Sequence, residues 1–294
     1  MLAYALCLAY RDEKNLLTLI LFLFSTQVLA DSLTKQIALI EQQSGGRLGV
    51  AVLDTQNHKQ WQYHGDDRFP MMSTFKTLMC ANALYLAEQK KLNLNATTKV
   101  KKSVLVTWSP ITEKLIGQEI TVQKACEATM LMSDNTAANI VLHQIGGPEQ
   151  VTQFVRSLDD KVTRLDRFEP ELNQATPGDK RDTTSPSAMV ELLNTLLLQD
   201  GLNQESQQQL LTWMKNNKVS DPLIRSVLPQ SWSIADRSGA GNQGSRGITA
   251  LVWNSQRKPV ILSIYLTQTQ LDMAQRNRVI NRVANLVFEQ FSVK

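Results

Sequence analysis

Met71-Met72-Ser73-Thr74-Phe75-Lys76-Thr77-Leu78-Met79-Cys80 is the stretch around which the chain is organised. Read as the opening of a helix near Ser73, a spacing of three puts the Lys76 amine on the face that carries the Ser73 hydroxyl, within hydrogen-bond reach. A free serine hydroxyl is a poor nucleophile. It needs a base beside it, and a lysine whose charged form is disfavoured by its surroundings can take its proton. Phe75, Met79, Ala83 and Leu86 repeat at helical spacing, which predicts a helix over 71–90 with one face in a core while Ser73 and Lys76 look elsewhere. Ser-x-x-Lys recurs at Ser32 to Lys35 and Ser255 to Lys258, so the spacing alone favours a helix-capping serine with a surface lysine, and only the motifs further along the chain reverse that.

With 294 residues, 43% hydrophobic and 20% charged, the composition is that of a globular chain, enough for one large domain or two modest ones. The net charge of +4 is mild and dispersed, and no basic run appears, so no nucleic-acid partner is expected. Leu16 to Phe24 is almost purely apolar and Val28-Leu29-Ala30 supplies small residues before Asp31, which predicts a signal peptide over 1–30. That run is short for a bilayer span, so no stable membrane insertion is expected once it is cut. An uncleaved anchor is the alternative. Its flank is unusual for a signal, because Arg11 and Lys14 are balanced by Asp12 and Glu13. Beyond the signal only Cys80 and Cys126 remain, an even pair in an oxidising compartment, which predicts a disulfide over two buried thiols. His58, His64 and His143 lack ligand spacing, so no metal site is expected.

Along the chain, a helix over 32–43 precedes strands at Leu48 to Leu53 and Gln60 to His64. Lys91 to Gln118 reads as polar and irregular. Helices follow at Thr121 to Met132, Thr136 to Ile145 and Gln150 to Leu158, with Ser133-Asp134-Asn135 as a loop between the first two. From Lys161 to Thr184 periodicity is lost and charge is dense, the mark of a compact functional loop. Helices resume at Ser185-Pro186 and at Gln204, then β-rich runs at Trp232 to Arg237, Gly247 to Asn254 and Pro259 to Leu266 lead to a terminal helix over 272–291. Strands at both ends with helices between them predict an α/β domain of 31–66 and 213–294 and an inserted all-α domain of 67–212.

Four elements stand in one order: Ser73-x-x-Lys76, Ser133-Asp134-Asn135, Glu169 in Glu169-Pro170-Glu171-Leu172-Asn173, and Arg237-Ser238-Gly239. Together they closely resemble the class A serine β-lactamases. The resemblance covers essentially all of the chain beyond the signal, including Cys80 and Cys126, the loop pair Arg167 and Asp182, and Trp232. It implies an antiparallel sheet flanked by helices with an inserted helical domain, the β-lactamase/transpeptidase-like fold. It also implies a periplasmic monomer that needs no cofactor and takes a small-molecule β-lactam.

The chemistry is coherent without the name, since acyl transfer needs a nucleophile, a proton relay, an oxyanion site and a base for the hydrolytic water. By the resemblance, Ser73 is acylated, Lys76 accepts its proton directly or through Ser133, and Ser133 passes a proton to the departing nitrogen. Glu169, aided by Asn173, primes the deacylating water. The backbone N–H groups of Ser73 and Ala240 form the oxyanion hole, with Gly239 and Gly241 letting a strand pass close to ligand. Asn135 holds the acylamino group, Trp108 walls the entrance, and Arg246 binds the ring carboxylate. Arg237 stands where most of the family has lysine, and its planar fork suits carboxylates. The Arg237-Ser238-Gly239 form resembles the carbenicillin-hydrolysing subgroup. Met72 and Gly241 occupy the places where some carbapenem-hydrolysing members carry a cysteine pair, so that activity is not expected. A D,D-peptidase would share Ser-x-x-Lys and its partners but lack the deacylating glutamate, so Glu169 with Asn173 decides against it; a penicillin sensor that stays acylated is the other rival, separated by steady-state turnover against a single stoichiometric burst.

Overall fold

Alternation along the strands decides how the layers stack. The structure, a computed structural model, describes residues 32–294, so the expected signal segment lies outside the described residues. A helix over 32–44 (α1) precedes β1 (Arg47–Asp54), β2 (Lys59–Tyr63) and the short β3 (Phe69–Pro70). A 3-10 turn over Met72–Thr74 then runs into α2 (Phe75–Glu88). Next come β4 (Thr97–Lys99), β5 (Glu119–Thr121), α3 (Val122–Met132), α4 (Asn135–Ile145), α5 (Pro148–Ser157), β6 (Thr183–Thr184), α6 (Pro186–Leu198) and α7 (Gln204–Lys215). The chain closes with β7 (Ser233–Ala240), β8 (Arg246–Asn254), β9 (Arg257–Thr267) and α8 (Met273–Gln290).

Five strands form one antiparallel sheet in the order β2-β1-β9-β8-β7. Because successive side chains point to opposite faces, Leu48, Val50 and Val52 of β1 and Val260, Leu262 and Ile264 of β9 enter one core with Leu33 and Ile37 of α1 and Ile280 and Val283 of α8. Ala51, Leu53, Leu251 and Ile261 face the other way, into a second core with α2 to α7. β7 is left as an edge strand, and that edge borders the site.

The sequence predicts α2 as an amphipathic helix starting at Met71, and the structure differs. Every residue from Phe75 to Leu84 is buried, so the helix is apolar on all sides and passes through the middle of the second core. Ser73 sits before it, in the 3-10 turn, where Met72 takes a positive φ of 50°. The expected disulfide is not formed: Cys80 and Cys126 are free and fully buried, with Cys80 Sγ 4.0 Å from the Cys126 carbonyl oxygen. Burial pushes the Cys80 thiol up, and the two side chains pack as small, buried groups between α2 and α3. Lys91 to Gln118 is not wholly irregular, since it contains β4, which pairs with β5 just beyond it. β3 and β6 likewise pair across the charged loop's end.

Candidate active site

Ser133 lies at the C-terminus of α3 in the left-handed region (φ 60°, ψ 30°), a conformation that costs a non-glycine residue about 1–2 kcal/mol and needs outside support. Asp134 gives that support. Its carboxylate accepts from the backbone N–H groups of Ile111 (2.9 Å), Thr112 (2.8 Å) and Ala137 (2.8 Å) and from the Thr112 hydroxyl (2.8 Å), capping α4 while pinning the loop. Ser133 and Asn135 are thereby turned toward the start of α2. Asn135 is the first residue of α4 rather than part of the loop before it.

Lys76 is wholly buried at the centre of the contacts. Its Nζ donates to Asn135 Oδ1 (2.6 Å), Ser133 O (3.0 Å) and Ser133 Oγ (3.2 Å), and lies 3.0 Å from Glu169 Oε1. Ser133 Oγ in turn donates to Ser73 Oγ at 3.0 Å. The direct Ser73–Lys76 hydrogen bond that the spacing predicts is replaced by a relay through Ser133. Burial pulls the Lys76 ammonium down to about 8, the Glu169 charge resists, and the Arg237 charge adds to the fall.

Glu169 is held at both backbone ends by one side chain: its N–H donates to Asn139 Oδ1 (2.9 Å) and its carbonyl accepts from Asn139 Nδ2 (2.8 Å). Its Oε2 accepts from Asn173 Nδ2, while Oε1 carries no hydrogen bond beyond the 3.0 Å approach of Lys76. The loop is closed behind it by Asp182, which accepts from the backbone N–H groups of Asp166 (2.8 Å) and Arg167 (3.0 Å) and from Arg167 Nε. Arg167 and Asp182 are thus structural partners that brace the loop.

On the other side, β7 carries Ser238, Gly239 and Ala240 along the wall of a cleft of about 540 Å³, which Ser73, Ser133, Asn135, Asn173 and Arg246 also line. Gly239 is forced: a Cβ there would meet Ser73 N at 2.6 Å and Met72 Cβ at 2.7 Å. Trp108 stands 58% exposed at the rim and donates from Nε1 to Met132 O (3.0 Å). Arg246 is anchored to Asn277 Oδ1 (2.9 Å) and Gly239 O (3.1 Å), and burial lowers its guanidinium to about 10.

Arg237 departs from expectation. Rather than presenting its fork to the cleft, it is fully buried beneath β7 and does not line the cleft. Nε donates to Ser73 O (3.2 Å), and Nη1 to Met130 O (3.2 Å) and Asn217 Oδ1 (3.3 Å). Backbone carbonyls at the helix ends nearby capture the donors that a carboxylate was expected to occupy, and burial lowers the group to about 10. The sequence reading missed the network below it. Asn217 donates to Asp236 Oδ1 (2.8 Å), Arg225 pairs with Asp236 through Nε (3.0 Å) and Nη2 (3.0 Å), and Ser220 Oγ donates to Ser238 Oγ (2.9 Å). It also missed Lys218, an exposed cation that does line the cleft.

The profile of the Beta-lactamase enzyme family matches residues 32–291. A curated relative, Beta-lactamase CARB-3 of Pseudomonas aeruginosa, is 51% identical over 269 residues, covering 92% of this chain and 93% of its own length. Beta-lactamase AER-1 of Aeromonas hydrophila is 44% identical, with 88% and 86% covered. Among solved structures, the chromosome-encoded beta-lactamase of Vibrio parahaemolyticus superposes with a TM-score of 0.88 at 56% identity, covering 89% of this chain and all of that one (100%). An ancestral class A beta-lactamase (GNCA) gives 0.85 at 48% identity over 87% and 99%.

Proposed function

The chain belongs to the β-lactamase enzyme family, and from that premise we propose that it hydrolyses the β-lactam ring of penicillins, carbenicillin among them, through an acyl-enzyme on Ser73. Ser73 Oγ attacks the lactam carbonyl as its proton passes through Ser133 to neutral Lys76, and Ser133 then protonates the departing ring nitrogen. The developing oxyanion is met by the backbone N–H groups of Ser73 and Ala240, the latter on an edge strand with one side free of strand neighbours. Glu169 deprotonates the water that cleaves the ester, and Asn173 orients it. The observation that carries this reading is the unbroken line of contacts Ser73 Oγ to Ser133 Oγ (3.0 Å) to Lys76 Nζ (3.2 Å) to Glu169 Oε1 (3.0 Å).

Arg246 takes the ring carboxylate, Asn135 the acylamino group, and Trp108 bounds the entrance. Arg237 acts from beneath β7, as a fixed positive charge behind Ser73 that helps keep Lys76 neutral. The two-domain division at 67 and 212 is part of the same reading, supported by the packing of α2 to α7 as one helical layer on one face of the sheet, with the second boundary falling inside α7. So is export to the periplasm with cleavage after Ala30, supported by the apolar run before it. No described helix is long and apolar enough to cross a membrane. The enzyme works as a monomer, since one chain supplies every group named. A hydrolysis panel of benzylpenicillin, carbenicillin, a cephalosporin and a carbapenem tests it. Turnover of both penicillins without the carbapenem is expected, and a single stoichiometric burst on every substrate would make the protein a sensor instead.

A further inference from the structure

Behind the charged loop, on the side away from the cleft, six arginines and five aspartates meet. Five pairs are satisfied: Arg47 with Asp67 (3.1 Å), Arg156 with Asp160 (3.9 Å), Arg181 with Asp179 (2.8 Å), Arg164 with Asp166, and Arg167 with Asp182. The sixth, Arg68, has no carboxylate partner among the described residues; its Nη1 donates to Val162 O (2.8 Å) and Thr183 Oγ1 (3.0 Å). One guanidinium charge is therefore left over in a partly buried place, where an uncompensated charge is costly. Burial and the neighbouring charges of Arg164 and Arg156 work against it, and the Asp160 charge offsets them only in part, leaving the guanidinium below its usual value.

That surplus borders a cavity. Arg68, Arg47, Arg167 and Arg181 line a space of about 30 Å³, with Asp179 as its one lining carboxylate. The space is two to three times the roughly 10–15 Å³ needed to seat one water, room for the inner oxygens of an anion whose others face the open rim at Arg181. Guanidinium forks are shaped for tetrahedral and planar oxyanions, and they are less strongly hydrated than ammonium groups. We propose that this cavity is a binding site for a small tetrahedral oxyanion, with inorganic phosphate or sulfate completing the charge of Arg68.

Its far wall is the loop itself, at Leu172 within the 3-10 turn Glu171–Asn173 and at Ala175, Thr176 and Pro177 just after it. An anion seated there ties that wall to Arg68 on the body of the protein. Binding to the folded state alone stabilises it in proportion to the logarithm of ligand concentration. The loop that carries Glu169 and Asn173 is the part most directly held.

The test is thermal unfolding of the whole protein titrated with sodium phosphate, and separately with sodium sulfate, against sodium chloride at matched ionic strength. A saturable rise in Tm with either oxyanion, absent in chloride and lost in Arg68→Gln, is expected. Arg68→Gln should keep benzylpenicillin turnover within about twofold in anion-free buffer, since Arg68 touches no group of the cleft. If that variant fails to fold, Arg181→Gln removes a lining charge at the exposed rim and should weaken the apparent Kd by roughly tenfold, the worth of one charge-assisted hydrogen bond. A rise that never saturates, or is equal in wild type and variant, means an adventitious ion only and overturns the proposal. So does saturable binding that competes with benzylpenicillin and survives Arg68→Gln, because the ion would then sit in the cleft.

Discussion

Replacing Glu169 by Ala or Gln should separate the two halves of the reaction. The Glu169 side chain is fully buried and is the one carboxylate within 3.0 Å of Lys76. Losing a positioned general base costs typically about 10²–10⁴-fold, and that loss should fall on deacylation. Acylation should survive for a reason visible in the same contact. Lys76 stands at about 8 because burial outweighs the upward pull of Glu169, so it is neutral in roughly one molecule in ten at pH 7. Without Glu169 the pull is gone and the neutral, basic form becomes more abundant. Stopped-flow mixing with benzylpenicillin should show a full burst followed by turnover slowed about a hundredfold or more, and intact-mass measurement should find the protein heavier by one penicillin. Unchanged turnover refutes the role of Glu169. Equal loss of burst and turnover, with no adduct, refutes Lys76 as the acylation base.

The burst rate of the wild-type enzyme should rise with pH through about 8 and then level, because the reactive form of Lys76 is the neutral one, and the midpoint should move lower in Glu169→Gln. The same depression acts on stability. Between about 8 and the ordinary 10.5 the unfolded chain binds more protons at this lysine than the folded one, so its contribution to stability rises with pH across that window, readable as a denaturant midpoint. Gly239→Ala puts a Cβ 2.6 Å from Ser73 N and should cost about 1–3 kcal/mol in urea unfolding and about a hundredfold in kcat/KM; a fully active variant would deny the close approach. Since Lys218 lines the cleft and Arg237 does not, Lys218→Ala should raise KM for dianionic carbenicillin severalfold more than for benzylpenicillin, and equal shifts would show no selective contact.

What the sequence discloses and what it hides follow from how local each feature is. The β8–β9 hairpin and helices α3 to α8 are legible because period-2 and period-3.6 patterns are properties of short windows. The four catalytic stretches are legible because each is a compact motif in a fixed order. β3 with β6 escapes notice, since two-residue ladders carry no periodicity. α2 misleads: its polar Thr77 and Asn82 break the apolar pattern, yet both are buried. Arg237 misleads further, because a charged residue beside a glycine-rich strand reads as facing ligand. Its true partners, Ser73 O, Met130 O and Asn217, come from distant segments and leave no trace in the local pattern. Lys218 is hidden in the same way, by a polar stretch that reads as solvent-facing.

β1 hydrogen-bonds to β9 along its whole length, Arg47 opposite Thr267 through Asp54 opposite Val260. The first strand of the sheet therefore has no inner neighbour until the last strand has been synthesised, and pairing so remote in the chain forms late. β9 also joins β1 and β2 to β8 and β7, so a chain cut short before it would leave the segment that leads to Ser73 unjoined to the strand that carries Arg237.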